Sequence, residues 1–209
     1  GYGRQAADRS AGPEFRPRYL YGAWWPEAGQ AMDLTDKISD TVKNQMATAE
    51  ATGTIDGKIY SVQQSVLPGG IWYSKDLFEK AGITETPKTW DEFIDTLQKI
   101  KDAGEQPLLM TYKDAWTANA PWNSIAADLA PESFADDRKA GKTTFVGTHE
   151  EITEKYLTLL DYAQDDFMGL SYDDGNKKFA NGDAVMIING NWAINQYKSA
   201  NADLNVNMF

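Results

Sequence analysis

Cysteine is absent from this chain of 209 residues. Its absence excludes disulfide bonds, thiol nucleophiles and zinc sites built on thiolates. Histidine occurs only once, at His149, so a histidine-dependent catalytic triad has a single candidate residue. We predict a solvated or structural role for it, in the first turn of a capped helix. Long apolar runs are also missing, since none approaches the roughly 20 residues of a membrane-spanning helix.

Positive charge is scarce, because 20 Lys and Arg stand against 31 Asp and Glu and the net charge is −11. Nucleic acids and anionic membranes are bound by basic surfaces, so we expect neither as a partner. The chain also lacks a Gly-x-Ser-x-Gly elbow, a phosphate-binding loop and a dinucleotide fingerprint. The acidic run Asp173-Asp174-Gly175-Asn176 lacks the spacing of a calcium loop and predicts a solvated loop. We therefore predict no enzymatic activity, no cofactor and no metal.

Aromatic residues, in contrast, are abundant, with 7 Trp, 10 Tyr and 8 Phe. A chain of this length forms one large domain or two small ones. Residues 1–20 show no periodicity, and we leave them unassigned as a possible linker or added segment. Beyond residue 60, strand and helix patterns alternate, which predicts an α/β fold with a mostly parallel sheet.

Several local signals mark the ends of these elements. The Asp-Gly pair within residues 54–60 predicts a tight hairpin. Ser74 can cap the helix that follows the strand Ile71-Trp72-Tyr73. Thr89 with Glu92, and Thr148 with Glu151, form two candidate capping boxes at the starts of amphipathic helices. A further short strand is predicted at residues 108–110.

The most informative segment runs from Phe179 to Trp192. Gly182 is placed to end a helix, and residues 184–188 form an apolar run typical of a strand covered on both faces. Residues 189–191, Asn-Gly-Asn, then turn the chain at the carboxyl end of that strand, where open α/β sheets place ligands. Trp192 therefore stands at a rim, where an aromatic beside amide groups suits a neutral, hydroxyl-rich ligand.

Four motifs in one order carry a family resemblance. They are residues 56–60 (DGKIY), 73–78 (YSKDLF), 86–93 (TPKTWDEF) and 179–192 (FANGDAVMIINGNW). Together they resemble the extracellular solute-binding proteins of bacterial ABC importers, in the carbohydrate-binding branch related to maltose-binding protein. The resemblance covers roughly residues 24–209. It departs from the family pattern at the start, where the opening strand-helix-strand unit is missing, and at Phe209, where the chain stops.

The resemblance implies a two-lobed α/β fold of the periplasmic-binding-protein type (type II), incomplete in this chain. Residues 21–66 would form part of the first lobe, with a crossover near residues 62–66, and residues 67–209 would form most of the second. The implied function is capture of a mono- or oligosaccharide and its delivery to an ABC permease. The implied location is extracytoplasmic, either periplasmic or as a cell-surface lipoprotein, with the targeting segment absent from this chain. We expect a monomer.

The same resemblance suggests the ligand contacts. Trp192 and Trp116 correspond to positions where relatives stack sugar rings, and Asp114 could accept hydrogen bonds from sugar hydroxyls. The remaining candidates are Gln64 and Ser65 in the crossover, Gly190 and Asn191 in the turn, and Trp25 on the first-lobe side. For Trp122 and Trp90 we expect packing in the core.

Two alternative functions remain open from the residues alone. A glycoside hydrolase needs only two carboxylates about 5 to 9.5 Å apart, and 31 acidic residues offer many pairs. The same framework could also bind a peptide, a polyol or another small solute. A scaffold piece that binds no ligand is a third possibility.

Overall fold

A computed structural model describes residues 29–45, 53–62 and 67–209. The chain divides into two compact units, Gly1–Val66 and Leu67–Phe209. The predictions for residues 1–20, for Trp25 and for Gln64 and Ser65 fall outside the described residues, as does most of the proposed crossover. The assignment of the two units to two lobes stays a prediction.

The first unit contains a short helix, α1 (Asp40–Gln45), and a hairpin of β1 (Thr54–Ile55) and β2 (Lys58–Ile59). Its turn has positive φ angles at both central residues, 50° at Asp56 and 76° at Gly57. These angles belong to the type I′ turn that suits the twist of two antiparallel strands. The predicted hairpin is confirmed.

The second unit is built on a four-stranded sheet. Its strands are β3 (Gly69–Ser74), β4 (Leu108–Leu109), β5 (Met186–Gly190) and β6 (Val206–Met208), and they lie side by side in the order β4-β5-β3-β6. β4 and β5 pair in parallel, whereas β3 pairs antiparallel with both β5 and β6. The prediction of a mostly parallel sheet is therefore wrong. An unbroken apolar run reports burial on both faces of a strand, and burial does not fix the direction of the neighbouring strand.

Within residues 67–209, the second unit also contains seven α-helices, several of which pack on the two faces of this sheet. They are α2 (Lys75–Lys80), α3 (Trp90–Asp102), α4 (Asn119–Leu129), α5 (Phe134–Lys139), α6 (Glu150–Leu160), α7 (Tyr172–Ala180) and α8 (Ile194–Ala200), with 3₁₀ turns at Ala115–Ala118 and Asn191–Ala193. Alternate residues of β3, β4 and β5 enter separate cores, as the two-residue period of a strand requires. In β5, Met186 belongs to the core that contains Phe93 and Leu97 of α3, while Ile187 belongs to the core that contains Phe179 of α7.

Helix caps confirm two local predictions and correct a third. The Ser74 hydroxyl accepts a hydrogen bond from the Leu77 amide at 3.4 Å, and the Thr89 hydroxyl accepts one from the Glu92 amide at 3.2 Å. The predicted box of Thr148 with Glu151 is wrong, because α6 begins one residue later than that box requires. The Glu150 carboxylate accepts the Gly147 amide instead, and the Thr148 hydroxyl donates to the Thr144 carbonyl at 2.8 Å.

His149 is the N-cap residue of α6 and is only 3% exposed. Its ring centroid lies 4.3 Å from that of Phe134 and 4.8 Å from that of Phe145. The role is structural, and a solvated histidine is excluded. Trp122 of α4 is half-buried beside it, 5.7 Å from the Tyr156 ring in α6. Trp90 is likewise half-buried, packed on Phe93 at the start of α3.

Candidate functional site

The candidate site lies at the edge of the sheet where β4 and β5 end. Because these two strands are parallel, their carboxyl ends meet at the same edge. β3 is antiparallel to β5 and begins there, with Gly69 opposite Gly190. Helix α7 leads into β5 and starts near the same edge. Segments from three parts of the chain therefore meet where α/β sheets commonly bind ligands.

Trp116 occupies the 3₁₀ turn that follows β4 and is 47% exposed. Thr117 anchors this turn. Its hydroxyl oxygen lies 2.7 Å from the Thr111 carbonyl oxygen and 2.9 Å from the Asp114 carbonyl oxygen. Thr117 itself is buried. The turn thus presents a large aromatic ring to solvent on an anchored backbone.

Tyr172, the first residue of α7, joins the two predicted tryptophans. Its ring centroid lies 4.8 Å from that of Trp116, with the two planes tilted by 54°. Its hydroxyl accepts a hydrogen bond from Trp192 Nε1 at 3.1 Å. Tyr172 was not predicted from the sequence. The sequence signal that could have indicated it is its position directly after Ser171, at the start of a helix. The Ser171 hydroxyl caps α7 by accepting a hydrogen bond from the Asp174 amide at 3.2 Å.

Asp114 lies beside this cluster in a structural role. Its Oδ2 atom accepts a hydrogen bond from the backbone amide of Tyr172 at 2.7 Å. A carboxylate at the start of a helix is stabilised by the free amide groups there. Asp114 therefore ties the loop after β4 to the first turn of α7. Its contact with a ligand, which the resemblance implied, stays a prediction.

Gly190 ends β5 beneath the ring of Trp192. A Cβ atom added at Gly190 would lie 1.9 Å from Cζ3 of that indole, so only glycine fits without movement. The Gly190 carbonyl accepts a hydrogen bond from the Trp72 indole at 3.1 Å. Gly190 was predicted as a ligand contact, and the structure gives this buried residue a supporting position under Trp192.

Asn191 follows directly and is half-buried. Its amide donates to the Pro68 carbonyl at 2.9 Å, which links the start of β3 to the end of β5. Its side-chain Oδ1 atom is buried and accepts no hydrogen bond from the described residues. An acceptor without a partner thus lies next to Trp192 in the chain.

Asn189, predicted to lie in a turn, is a buried residue of β5. Its Nδ2 group donates to Asn176 Oδ1 at 3.2 Å and to the Tyr197 hydroxyl at 3.1 Å, and its Oδ1 accepts the Gly190 amide at 2.8 Å. Desolvation by burial raises the pKa of Tyr197, so that hydroxyl stays neutral in this network. The network holds β5 against α7 and α8 and thereby supports the segment that carries Trp192.

The acidic run at residues 173–176 is part of α7, so the predicted loop is wrong. The Ser171 hydroxyl hydrogen-bonds the Asp174 carboxylate at 2.8 Å and, with Lys177, lowers the pKa of Asp174. Asp173 and Asp174 are exposed, whereas Gly175 and Asn176 face the interior. Within residues 29–45, 53–62 and 67–209, no group of three or more His, Cys, Asp or Glu side chains is arranged to hold a metal ion.

Comparison with known proteins assigns the chain to a family. Residues 19–208 match the family described as bacterial extracellular solute-binding protein. The chain belongs to this family. The predicted resemblance is confirmed, and the family is one of binding proteins with an extracytoplasmic location. Among the helices of the described residues, none has the length and apolar character needed to cross a membrane.

Two relatives and two solved structures illustrate the similarity. The chain is 27% identical over 194 residues to the multiple sugar-binding protein of Streptococcus mutans. It is 25% identical over 183 residues to a probable sugar-binding periplasmic protein of Mesorhizobium japonicum. A chitin oligosaccharide binding protein superposes with a TM-score of 0.78 at 28% identity, over 90% of this chain. The solute-binding protein RafE in complex with raffinose gives 0.73 at 27%, over 91% of this chain.

These matches confirm the predicted α/β fold of the solute-binding-protein type. The chain spans about half the length of the proteins it matches. It covers 45% of the Streptococcus relative, 42% of the Mesorhizobium relative, 48% of the chitin oligosaccharide binding protein and 51% of the RafE chain.

Proposed function

We propose that this chain is the sugar-binding part of an ABC-importer substrate-binding protein, which captures a mono- or oligosaccharide between two lobes. The observation that carries the proposal is the cluster of Trp116, Tyr172 and Trp192 at the carboxyl edge of the sheet. Sugar rings have an apolar C–H face and a polar rim, so they are bound by aromatic faces flanked by amides and carboxylates. The names of the relatives, which are sugar-binding proteins, support the same class of ligand.

The remaining parts of the function follow from the family. A ligand that touches both lobes favours the closed state by its differential affinity for that state. The closed protein would then deliver the sugar to the transmembrane subunits of a permease. We propose a monomer, either periplasmic or anchored as a lipoprotein, without catalytic residues and without a nucleic-acid partner. The ligand contacts would include Trp192, Trp116, Asp114, Asn191 and Gly190, with further candidates at Gln64, Ser65 and Trp25.

Thermal unfolding in the presence of sugars tests the proposal. A ligand that binds only the folded state raises stability by about 2.7 kcal/mol at 100 times its dissociation constant. Raffinose, mannobiose and a chitin oligosaccharide form the test panel, with the unfolding midpoint as the readout. High sugar concentrations also stabilise proteins without specific binding, because sugars are excluded from protein surfaces.

The control is therefore the same titration on a variant that lacks the aromatic platform. We expect Trp192→Ala to weaken sugar binding by roughly 1–3 kcal/mol, judged from the burial of a large apolar side chain. In Trp192→Ala the midpoint shift should therefore fall to the non-specific background. Trp90→Ala is the matched variant, because Trp90 packs against the other hydrophobic core cluster, and its midpoint shift should equal that of wild type. Equal shifts in wild type and Trp192→Ala would remove Trp192 from the site.

The other function classes give different outcomes in the same samples. Release of shorter sugars, detected by chromatography, would indicate a glycoside hydrolase. Stabilisation by a polyol or peptide alone would indicate a solute-binding protein for a non-sugar ligand. No specific stabilisation by any solute would leave a non-binding scaffold.

A further inference from the structure

Trp192 and Trp116 lie on separate segments, and a single side chain connects them. The Trp192 indole donates its N–H to the Tyr172 hydroxyl at 3.1 Å, and the Tyr172 ring lies 4.8 Å from that of Trp116. The indole N–H is a donor only, and this bond uses it. Trp192 is therefore left with only the exposed, apolar part of its ring for any ligand.

The placement of Tyr172 is in turn fixed from two sides. Its backbone amide donates to Asp114 Oδ2 at 2.7 Å, across 58 residues of chain. One turn further along α7, a Cβ atom at Gly175 would lie 2.2 Å from Cγ2 of Thr111. The absence of that Cβ lets α7 approach the loop after β4 closely, which brings Tyr172 within reach of Trp116.

Trp192 is held from the opposite side as well. Its ring lies over Gly190, where a Cβ atom would come within 1.9 Å of the indole carbon Cζ3. The backbone beneath the indole and the hydrogen bond at its nitrogen both favour this orientation of the ring. Fixing an aromatic ring before a ligand arrives lowers the conformational entropy lost on binding.

We propose that Tyr172 is a positioning residue that orients the Trp192 indole and couples it to the Trp116 loop, so that both rings are set before ligand binds. This inference rests on the proposed sugar-binding function, because the orientation of the Trp192 ring affects function only through the affinity for sugar. Asp114 contributes by fixing Tyr172, and this contribution is separate from any contact of its own with a ligand. Tyr172 thereby sets the relative positions of the Trp116 and Trp192 rings, which form the apolar surface of the site.

The test is Tyr172→Phe, which removes the hydroxyl and keeps the ring beside Trp116. Tyr162→Phe is the matched control, because the Tyr162 hydroxyl also makes one hydrogen bond, to Gln98 at 3.3 Å, with no role in the cluster. The first readout is the indole N–H signal of Trp192 in a ¹⁵N-labelled, ligand-free protein. The signal is assigned among those of the 7 tryptophans by its loss in Trp192→Phe.

In Tyr172→Phe we expect the Trp192 indole proton to move upfield and to exchange faster with water, with no such change in Tyr162→Phe. The second readout is raffinose affinity by NMR titration. A neutral hydrogen bond contributes about 0.5–1.5 kcal/mol, which corresponds to about 2- to 12-fold weaker binding in Tyr172→Phe. The double variant Tyr172→Phe/Trp192→Phe should lose less than the product of the two single losses, because both remove the same bond.

The two readouts separate the two proposals. An unchanged indole signal in Tyr172→Phe overturns the positioning role whatever the sugar result. A changed signal with unchanged raffinose affinity overturns its importance for binding. If wild type itself does not bind raffinose, that result counts against the proposed function for this sugar, and the indole signal still decides whether Tyr172 holds Trp192.

Discussion

At the scale of single residues, the site depends on two glycines, where the absence of a Cβ atom allows close packing. Gly190 and Gly175 each leave room for a neighbouring side chain, the Trp192 indole in one case and the Thr111 methyl group in the other. Neither glycine has a positive φ angle, so backbone conformation does not explain them. Close packing does, because protein interiors leave little free volume to absorb an added methyl group.

We predict that Gly190→Ala destabilises the protein by about 1–3 kcal/mol, since overpacking forces side chains or backbone to move. The measurement is urea unfolding followed by circular dichroism. Gly69→Ala is the control, because Gly69 is the strand partner of Gly190 and has nothing within 4 Å of an added Cβ. If Gly190→Ala is as stable as Gly69→Ala, the contact between strand and indole does not constrain residue 190.

At the scale of elements, α7 contributes to the site at several points. Its first residue is Tyr172, its cap is Ser171, and its inner side carries Asn176 of the network beneath β5. The Ser171 hydroxyl satisfies the Asp174 amide, which would otherwise lack a partner at the helix start. The geometry of the aromatic cluster is therefore linked to the integrity of one short helix.

Ser171→Ala should lower the free energy of unfolding by about 1 kcal/mol, as is typical for loss of an N-cap. Ser124→Ala serves as the comparison, because the Ser124 hydroxyl bonds the Ala120 carbonyl within α4 and caps nothing. That variant should be neutral, since alanine is the better helix former. Equal stability of the two variants in urea unfolding would argue against the importance of the cap.

The start of α6 gives a pH-dependent prediction. Desolvation by burial lowers the pKa of His149 below its ordinary value of 6.5, although the neighbouring Glu150 opposes the shift. The folded state then binds fewer protons than the unfolded state, so stability is full above about pH 6.5 and falls as the pH drops from there to the lower, folded-state pKa. Trp122, Phe134 and Phe145, which pack around the ring, are uncharged.

The measurement is the unfolding midpoint in urea between about pH 7 and pH 5, a range in which histidine is the side chain that ordinarily titrates. As the single histidine in the chain, His149 should account for most of the decline. His149→Gln should show a shallower dependence on pH, whatever its absolute stability. Parallel curves for the two proteins would show that His149 does not cause the loss.

At the scale of the whole molecule, the decisive fact is length. The chain spans 45% of the Streptococcus relative and 51% of the RafE chain. Affinity depends on the contacts that a ligand makes on all sides. A binding surface from one part of such a protein supplies only some of them.

We therefore expect these 209 residues alone to bind sugar weakly. The dissociation constant should be nearer 1 mM than 1 μM, a difference of about 4 kcal/mol in binding free energy. NMR titration with raffinose covers this range. A micromolar constant would show that this chain provides the principal contacts by itself.

Much of the local structure could be predicted from sequence, because it depends on interactions between near neighbours. The hairpin follows from Asp56 and Gly57, the start of α3 from Thr89, and the end of α7 from Gly182, whose φ angle is 86°. The order of four such motifs also identified the family. Trp192 was placed correctly just after the end of a buried strand, although the contacts of Trp192 and Trp116 with a ligand stay predictions.

Contacts between residues that are far apart in the sequence could be seen only in the tertiary structure. The bond from Tyr172 to Asp114 joins residues 58 apart, and the bond from Trp192 to Tyr172 joins residues 20 apart. The packing of helices and strands against one another likewise decides the direction of β3, the burial of His149 and the packing role of Gly190. Short-range patterns encode φ angles and hydrogen bonds within a turn, whereas contacts across the sheet edge arise only when the whole core is packed.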